Sequence, residues 1–313
     1  KTLIVFSVII FILNTYTIYQ KGFQKRISNY PKIIDKIISE KNFSATNSKT
    51  AEIANFEEKN NIYLVGDSHM QELYKSMYNS REKLSNYNLI QLNASGCYYI
   101  HGFDKIHKYK KEPEKYCDKE FQTKRRKEFL SKKNSIVIIG GRLPVYLSGE
   151  RYDNGEGERE QKEWHVFKSS ENQDLKDGVK ESIQDLLDEG IKIILIYPIP
   201  PVGFDVTKKL FDNYRWNKEN FDEFIRKSPI TTSNKNFDKW AKNSYKILDS
   251  IEHNNLYRII PQNLFCNVQI KNRCLLHDTK DVFYIDNNHL SKAGNKKIIN
   301  LIFKKINLIE KNN

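Results

Sequence analysis

Two short segments, far apart in the chain, carry residue types that together could perform acyl chemistry. The apolar run Ile62-Tyr63-Leu64-Val65 ends in Gly66-Asp67-Ser68-His69, and much later the chain reads Asp286-Asn287-Asn288-His289-Leu290-Ser291. A serine at a strand-to-helix turn exposes its Oγ, while the first N–H groups of the helix face any developing negative charge. A free Ser hydroxyl is a weak nucleophile at neutral pH, so Ser68 needs a base. An Asp and a His three residues apart can point at one hydroxyl, which makes His289 the general base and Asp286 the group that fixes its tautomer and stabilises the imidazolium. Gly-Asp-Ser alone is a common turn and helix cap. The order Ser, Asp, His gives it meaning and indicates a serine hydrolase or acyltransferase. Ser291 reads as the N-cap of a last helix begun by Lys292 and Ala293, Asp67 as a partner of a helix N-terminus, and His69 as a neighbour of the site outside the proton path. The other histidines have no spacing that recruits them, and the mechanism requires no metal.

Elements that would position these residues can be read from apolar patterning. Strand-length runs at Ile62 to Val65, Leu89 to Leu92, Ile136 to Ile139, Ile191 to Tyr197 and Leu256 to Ile260 alternate with helical patterns at about His69 to Tyr78, Asp177 to Glu189, Lys235 to His253 and Ser291 to Ile306. Near-continuous apolar strands between amphipathic helices predict an α/β fold with a central parallel sheet covered on both faces. Ligands bind at the carboxyl ends of such strands. Ser68 follows the first strand, Ser95 and Gly96 the second, and Gly140, Gly141 and Arg142 the third, so three loops should meet at one edge. For an oxyanion, the candidates are the backbone N–H groups of Ser68 and Gly96, with Arg142 either a third donor or half of a structural salt bridge. Residues 98–134 and 143–172 read as polar and aromatic insertions that roof the site and select the acceptor. The charge run Lys105 to Lys119 is a solvated face or a contact for an anionic substrate.

Composition bounds the class. The chain has 313 residues, is 39% hydrophobic and carries a formal charge of +13, which suits a packed domain with acidic partners. The basic residues are scattered and no nucleic-acid motif accompanies them, so no nucleic acid is expected. Residues 1–20 begin with an uncharged stretch, Thr2 to Tyr19, without a cleavage site, and read as one transmembrane helix. The chain starts at Lys1 and so reads as a fragment, its membrane part upstream. Lys21, Lys25 and Arg26 oppose export by the positive-inside tendency, which earlier helices can override. Residues 21–60, with a helical pattern around Pro31 to Lys41 followed by the polar run Asn42 to Thr50, are expected to be a linker and residues 61–310 the catalytic domain. Of three possible pairings of Cys97, Cys117, Cys266 and Cys274, the simplest gives disulfides 97–117 and 266–274 in an oxidising compartment; four structural thiols in the cytosol are the alternative.

The two motifs resemble the first and last blocks of SGNH/GDSL hydrolases. Ala94-Ser95-Gly96-Cys97, Gly140-Gly141-Arg142-Leu143 and the Cys266 to Cys274 segment are similar to SGNH domains fused behind an acyltransferase-3 membrane domain. The resemblance spans roughly residues 60 to 305. It implies a three-layer, flavodoxin-like SGNH fold and O-acetylation of a cell-surface polysaccharide, such as lipopolysaccharide O-antigen or peptidoglycan, through a Ser68 acyl-enzyme. It further implies a cytoplasmic-membrane protein with this domain on the periplasmic or extracellular side. Acetyl-CoA would be the ultimate donor, supplied through the membrane domain; this chain has no phosphate-cradling Gly-rich loop. One departure is plain, because Gly140-Gly141-Arg142 stands where the family's Gly-x-Asn-Asp block supplies an Asn to the oxyanion. The alternatives are a carbohydrate or lipid acetylesterase with the same triad, and a non-catalytic polysaccharide-binding module.

Overall fold

The structure is a computed structural model and describes residues 2–19, 31–46, 59–216 and 221–312. In chain order the elements begin with α1 (Thr2–Tyr19), α2 (Lys32–Thr46), β1 (Asn60–Gly66), α3 (Ser68–Tyr78), β2 (Tyr87–Asn93), β3 (Phe103–His107) and α4 (Lys119–Leu130). There follow β4 (Ile136–Gly140), α5 (Leu143–Ser148), β5 (His165–Ser169), α6 (Leu175–Asp188), β6 (Lys192–Ile196), α7 (Val206–Trp216) and α8 (Phe221–Lys227). The last are β7 (Thr231–Ser233), α9 (Asn234–Asp249), β8 (Leu256–Ile259), α10 (Gln262–Phe265), β9 (Arg273–Leu275) and α11 (Lys292–Lys311).

The five apolar runs form one sheet in the order β2-β1-β4-β6-β8, and every pairing in it is parallel. Because strand side chains alternate, Ile62 and Leu64 join one core while Tyr63 and Val65 join the other. The same division separates Ile136 and Ile138 from Val137 and Ile139. Both faces are dry, which is why these strands read as continuous apolar runs rather than alternating ones. On the first face, α3 buries Met70, Leu73, Tyr74 and Met77, and α11 buries Ile298, Ile299, Ile302, Ile306 and Ile309. On the second, α6 buries Val179, Ile183, Leu186 and Leu187, and α9 buries Ile247 and Leu248, while its Phe237 and Ala241 form a separate cluster with Tyr152. Each large aliphatic buried this way contributes about 1.5–3 kcal/mol. The result is the expected α/β sandwich, with β1 in from the edge and its carboxyl end beside those of β2 and β4.

Two expectations are revised. Residues 1–20 do not support a transmembrane span, since no helix among the described residues is long and apolar enough to cross a membrane. In α1 the Thr15 and Thr17 hydroxyls donate to the Phe11 and Leu13 carbonyls of the preceding turn, each at 2.8 Å. In the linker expected at 21–60, the helical stretch around Pro31 to Lys41 is α2, and it packs against the domain rather than only connecting it: Ile34 and Ile37 enter the core, and Glu40 accepts the backbone N–H of Lys292 at 2.9 Å. Residues 21–30 and 47–58 of that linker lie outside the described residues. The segments 98–134 and 143–172, expected as insertions, are joined to each other: β3 and β5 pair antiparallel, Phe103 opposite Ser169 and His107 opposite His165. Helix α4 within the first of them escapes an apolar-periodicity reading because its buried face is Gln122, Arg125 and Phe129.

Candidate active site

The turn from β1 into α3 is built from glycine and a capping carboxylate. At Gly66, with φ +143°, an added Cβ would lie 2.1 Å from the Gly140 carbonyl oxygen, so only glycine lets the ends of β1 and β4 approach this closely. Asp67 then caps α3, its Oδ1 accepting the His69 N–H at 3.0 Å. Asp67 is fully buried, and its Oδ2 accepts the Arg142 N–H at 2.7 Å and the Tyr146 hydroxyl at 2.9 Å. Gly141, with φ +134°, makes room for this, since a Cβ there would stand 2.8 Å from that oxygen. The carboxylate thus ties the loops after β1 and β4 into one unit. Ser68, as the first helical residue, has an N–H with no carbonyl partner in its own helix.

The loop before α11 meets this turn. The Asp286 Oδ1 accepts the backbone N–H groups of Asn288 at 2.9 Å and His289 at 2.7 Å, which curls the loop and brings Oδ2 to 2.7 Å from His289 Nδ1. On the other side of the ring, Nε2 stands 2.8 Å from Ser68 Oγ. A carboxylate only accepts, so Nδ1 carries a proton and neutral His289 presents Nε2 as the acceptor for the Ser68 hydroxyl. The Asn287 carbonyl accepts the N–H groups of Val202 and Gly203, and Ser291 caps α11 through the Gly294 N–H at 3.1 Å.

Electrostatics fit this arrangement. Burial alone would raise the Asp286 carboxyl, but the hydrogen bond and charge of His289 and two backbone donors hold it well below the usual carboxylate range. Burial disfavours the His289 cation, yet the hydrogen bond and charge of Asp286 outweigh it and raise the ring above its ordinary value. His69 takes the opposite course. Burial drives it down to about 4, and its Nε2 hydrogen-bonds to Asn288 Oδ1 at 2.9 Å while its ring lies edge-on to His289. It is therefore a neutral prop of the His289 loop. Such a constellation can draw a proton from a serine hydroxyl and return it to a leaving group.

The other predicted residues are placed differently. Arg142 directs its guanidinium to the buried carboxylate of Glu160, so it is first of all half of a salt bridge, although its Nε keeps no partner. Gly96, with φ +62°, lies in the Ala94–Cys97 turn, which hangs on the end of β1 through the Ala94 N–H to the Gly66 carbonyl at 3.0 Å. No contact links its own N–H to Ser68. Both near pairs of cysteines are bonded, Cys97 with Cys117 and Cys266 with Cys274. Among the described residues no cluster of three His, Cys, Asp or Glu could hold a metal ion. Sequence reasoning missed Tyr146, Asn288 and Glu160. Asn288 lies inside the Asp-x-x-His motif and was within reach; Glu160 sits in a charged run with nothing to distinguish it.

The family described as an SGNH domain fused to AT3 domains matches residues 39–304. No curated protein matches the sequence. Among solved structures, the periplasmic domain of a lipopolysaccharide acetyltransferase from Salmonella ser. Paratyphi A is similar with a TM-score of 0.50 at 14% identity, over 89% of this chain and 98% of that one. A GDSL-like lipase from Bacteroides thetaiotaomicron is similar with a TM-score of 0.40 at 11% identity, over 86% and 99%. At these identities the likeness is one of fold.

Proposed function

The chain belongs to the SGNH family of domains found fused to AT3 domains, and from that premise we propose that it is an O-acetyltransferase that moves an acetyl group to a sugar hydroxyl of a cell-surface polysaccharide. The observation that carries the reading is the unbroken line from Ser68 Oγ to His289 Nε2 at 2.8 Å and from His289 Nδ1 to Asp286 Oδ2 at 2.7 Å. In the first half-reaction Ser68 Oγ attacks the donor carbonyl carbon as His289 takes its proton. Collapse of the tetrahedral intermediate expels the leaving group, protonated by His289, and leaves the acetyl group on Ser68. A sugar hydroxyl then attacks that ester with His289 again as base, and Ser68 regains its proton. The Ser68 and Gly96 N–H groups and the Arg142 Nε are the donors assigned to the oxyanion.

The acyl donor would be handed over by an AT3 domain, as the fused arrangement of the family suggests. Two disulfides and the likeness to a periplasmic domain favour an extracytoplasmic setting. The test is p-nitrophenyl acetate turnover by the purified chain, with and without an oligosaccharide acceptor, beside Ser68→Ala. Acetylated sugar formed by the parent and not by the variant is the expected result. Nitrophenol released with water as the sole acceptor would make the protein an esterase, and turnover that survives Ser68→Ala would refute the assignment.

A further inference from the structure

We propose that the cleft opening beside Asp286 is where the acyl acceptor lies, and that it takes a chain of uncharged sugar units. This inference rests on the acyl-transfer reading above. The cleft measures about 820 Å³ and is walled by loop 151–161 on one side and α7 on the other, with Asp286 and Asn287 in its lining. That volume suits a ligand site. Its floor cannot move independently of the triad, because the Asn287 carbonyl holds the N–H groups of Val202 and Gly203 at 3.0 and 2.9 Å. A hydroxyl delivered along it would arrive beside the carboxylate that orients His289.

The chemistry of the wall selects the occupant. Trp216, in the lining at the end of α7, is 80% exposed. An indole plane open to the cleft can take a pyranose ring, whose C–H face stacks on it while its hydroxyls point to polar neighbours. The charges of the wall nearly cancel, four cations against five carboxylates. Several are already paired, Lys208 with Asp212 at 2.6 Å, Lys209 with Glu158 at 3.4 Å, and Arg151 with Glu163 at 3.0 Å. A chain of acidic sugars would meet as many repelling groups as attracting ones there, despite the +13 charge of the whole protein. Sugar hydroxyls, which both donate and accept, match a wall that holds both kinds of group.

The test uses p-nitrophenyl acetate as donor and, as acceptors, neutral tetrasaccharides of glucose, mannose and galactose beside tetragalacturonate, with acetylated sugar read by mass spectrometry. At least one neutral tetrasaccharide should be acetylated in preference to tetragalacturonate. Trp216→Ala should raise the KM for that acceptor on the order of fivefold to tenfold, the loss expected of one aromatic contact, with kcat little changed. Trp216→Phe should recover most of it, and Tyr109→Ala, outside the cleft, should not alter it. Preference for tetragalacturonate, an unmoved KM in Trp216→Ala, or no acetylated neutral sugar despite Ser68-dependent nitrophenol release would overturn the inference. Release that persists in Ser68→Ala would instead remove the acyl-transfer reading, and this inference with it.

Discussion

Replacing Asp286 with Asn tests the His289 geometry with almost no change of shape. The carboxylate now accepts three N–H groups: two backbone donors on Oδ1, and the His289 ring at 2.7 Å on Oδ2. An amide has one acceptor oxygen. If it stays with the two backbone donors, the NH2 group faces Nδ1 and forces it to become an acceptor, which puts the ring proton on Nε2, 2.8 Å from Ser68 Oγ. A protonated Nε2 cannot take the Ser68 proton. The expected loss in kcat is about 10³–10⁴-fold, equivalent to about 4–5.5 kcal/mol of barrier. The pH profile should move as well. His289 acts as a base only when neutral, so activity rises with pH through its pKa, and Asp286 is what holds that pKa above the ordinary histidine value against burial. Without the charge, the residual activity should rise at lower pH than in the parent. Stopped-flow nitrophenol release from pH 4 to 9 reads both quantities. A loss under tenfold, or a limb that stays in place, would refute the assigned tautomer.

Other perturbations follow from the same contacts. His69 is buried and held near 4 when folded, whereas an unfolded chain would protonate it near 6.5, so the unfolded state binds the extra proton between these values. Stability should therefore fall as pH drops from about 6.5 to 4, by about 3 kcal/mol, and urea titrations of His69→Gln should lack that slope. Glu160→Gln leaves the buried Arg142 cation without its counter-charge and should cost about 3 kcal/mol or more, measured by urea unfolding; an unchanged midpoint would count against a structural pair. Gly141→Ala places a methyl 2.8 Å from the Asp67 carboxylate at a φ of +134° and should cost about 2 kcal/mol or more, with a lowered melting temperature. Cys97→Ala with Cys117→Ala opens a loop with a sequence separation of 20 and should lower stability by about 3 kcal/mol, and reductant should destabilise the parent more than the variant, which keeps the Cys266–Cys274 bond.

The sequence by itself determined the sheet and the residues that meet at its edge. A strand buried on both faces must be apolar at every position, so Ile62 to Val65, Ile136 to Ile139 and Ile193 to Ile196 could be recognised without knowing their neighbours. Ser68 and the Asp286 to His289 spacing were legible because hydrogen bonds across three residues of one loop are local geometry. What depended on distant chain was not legible. Arg142 finds Glu160, His69 finds Asn288, and β3 finds β5 only after the sheet has brought their loops together. Helix α4 hides its buried face because Gln122 and Arg125 are polar, the latter against Cys97 and Gln122 in the interior, so no apolar stripe announces it. In α1 an uncharged sequence suggested a span, and among the described residues no helix is long and apolar enough to cross a membrane. Local patterns carry burial and spacing; which polar group satisfies which is a property of the assembled fold, where desolvation makes every unpaired partner costly.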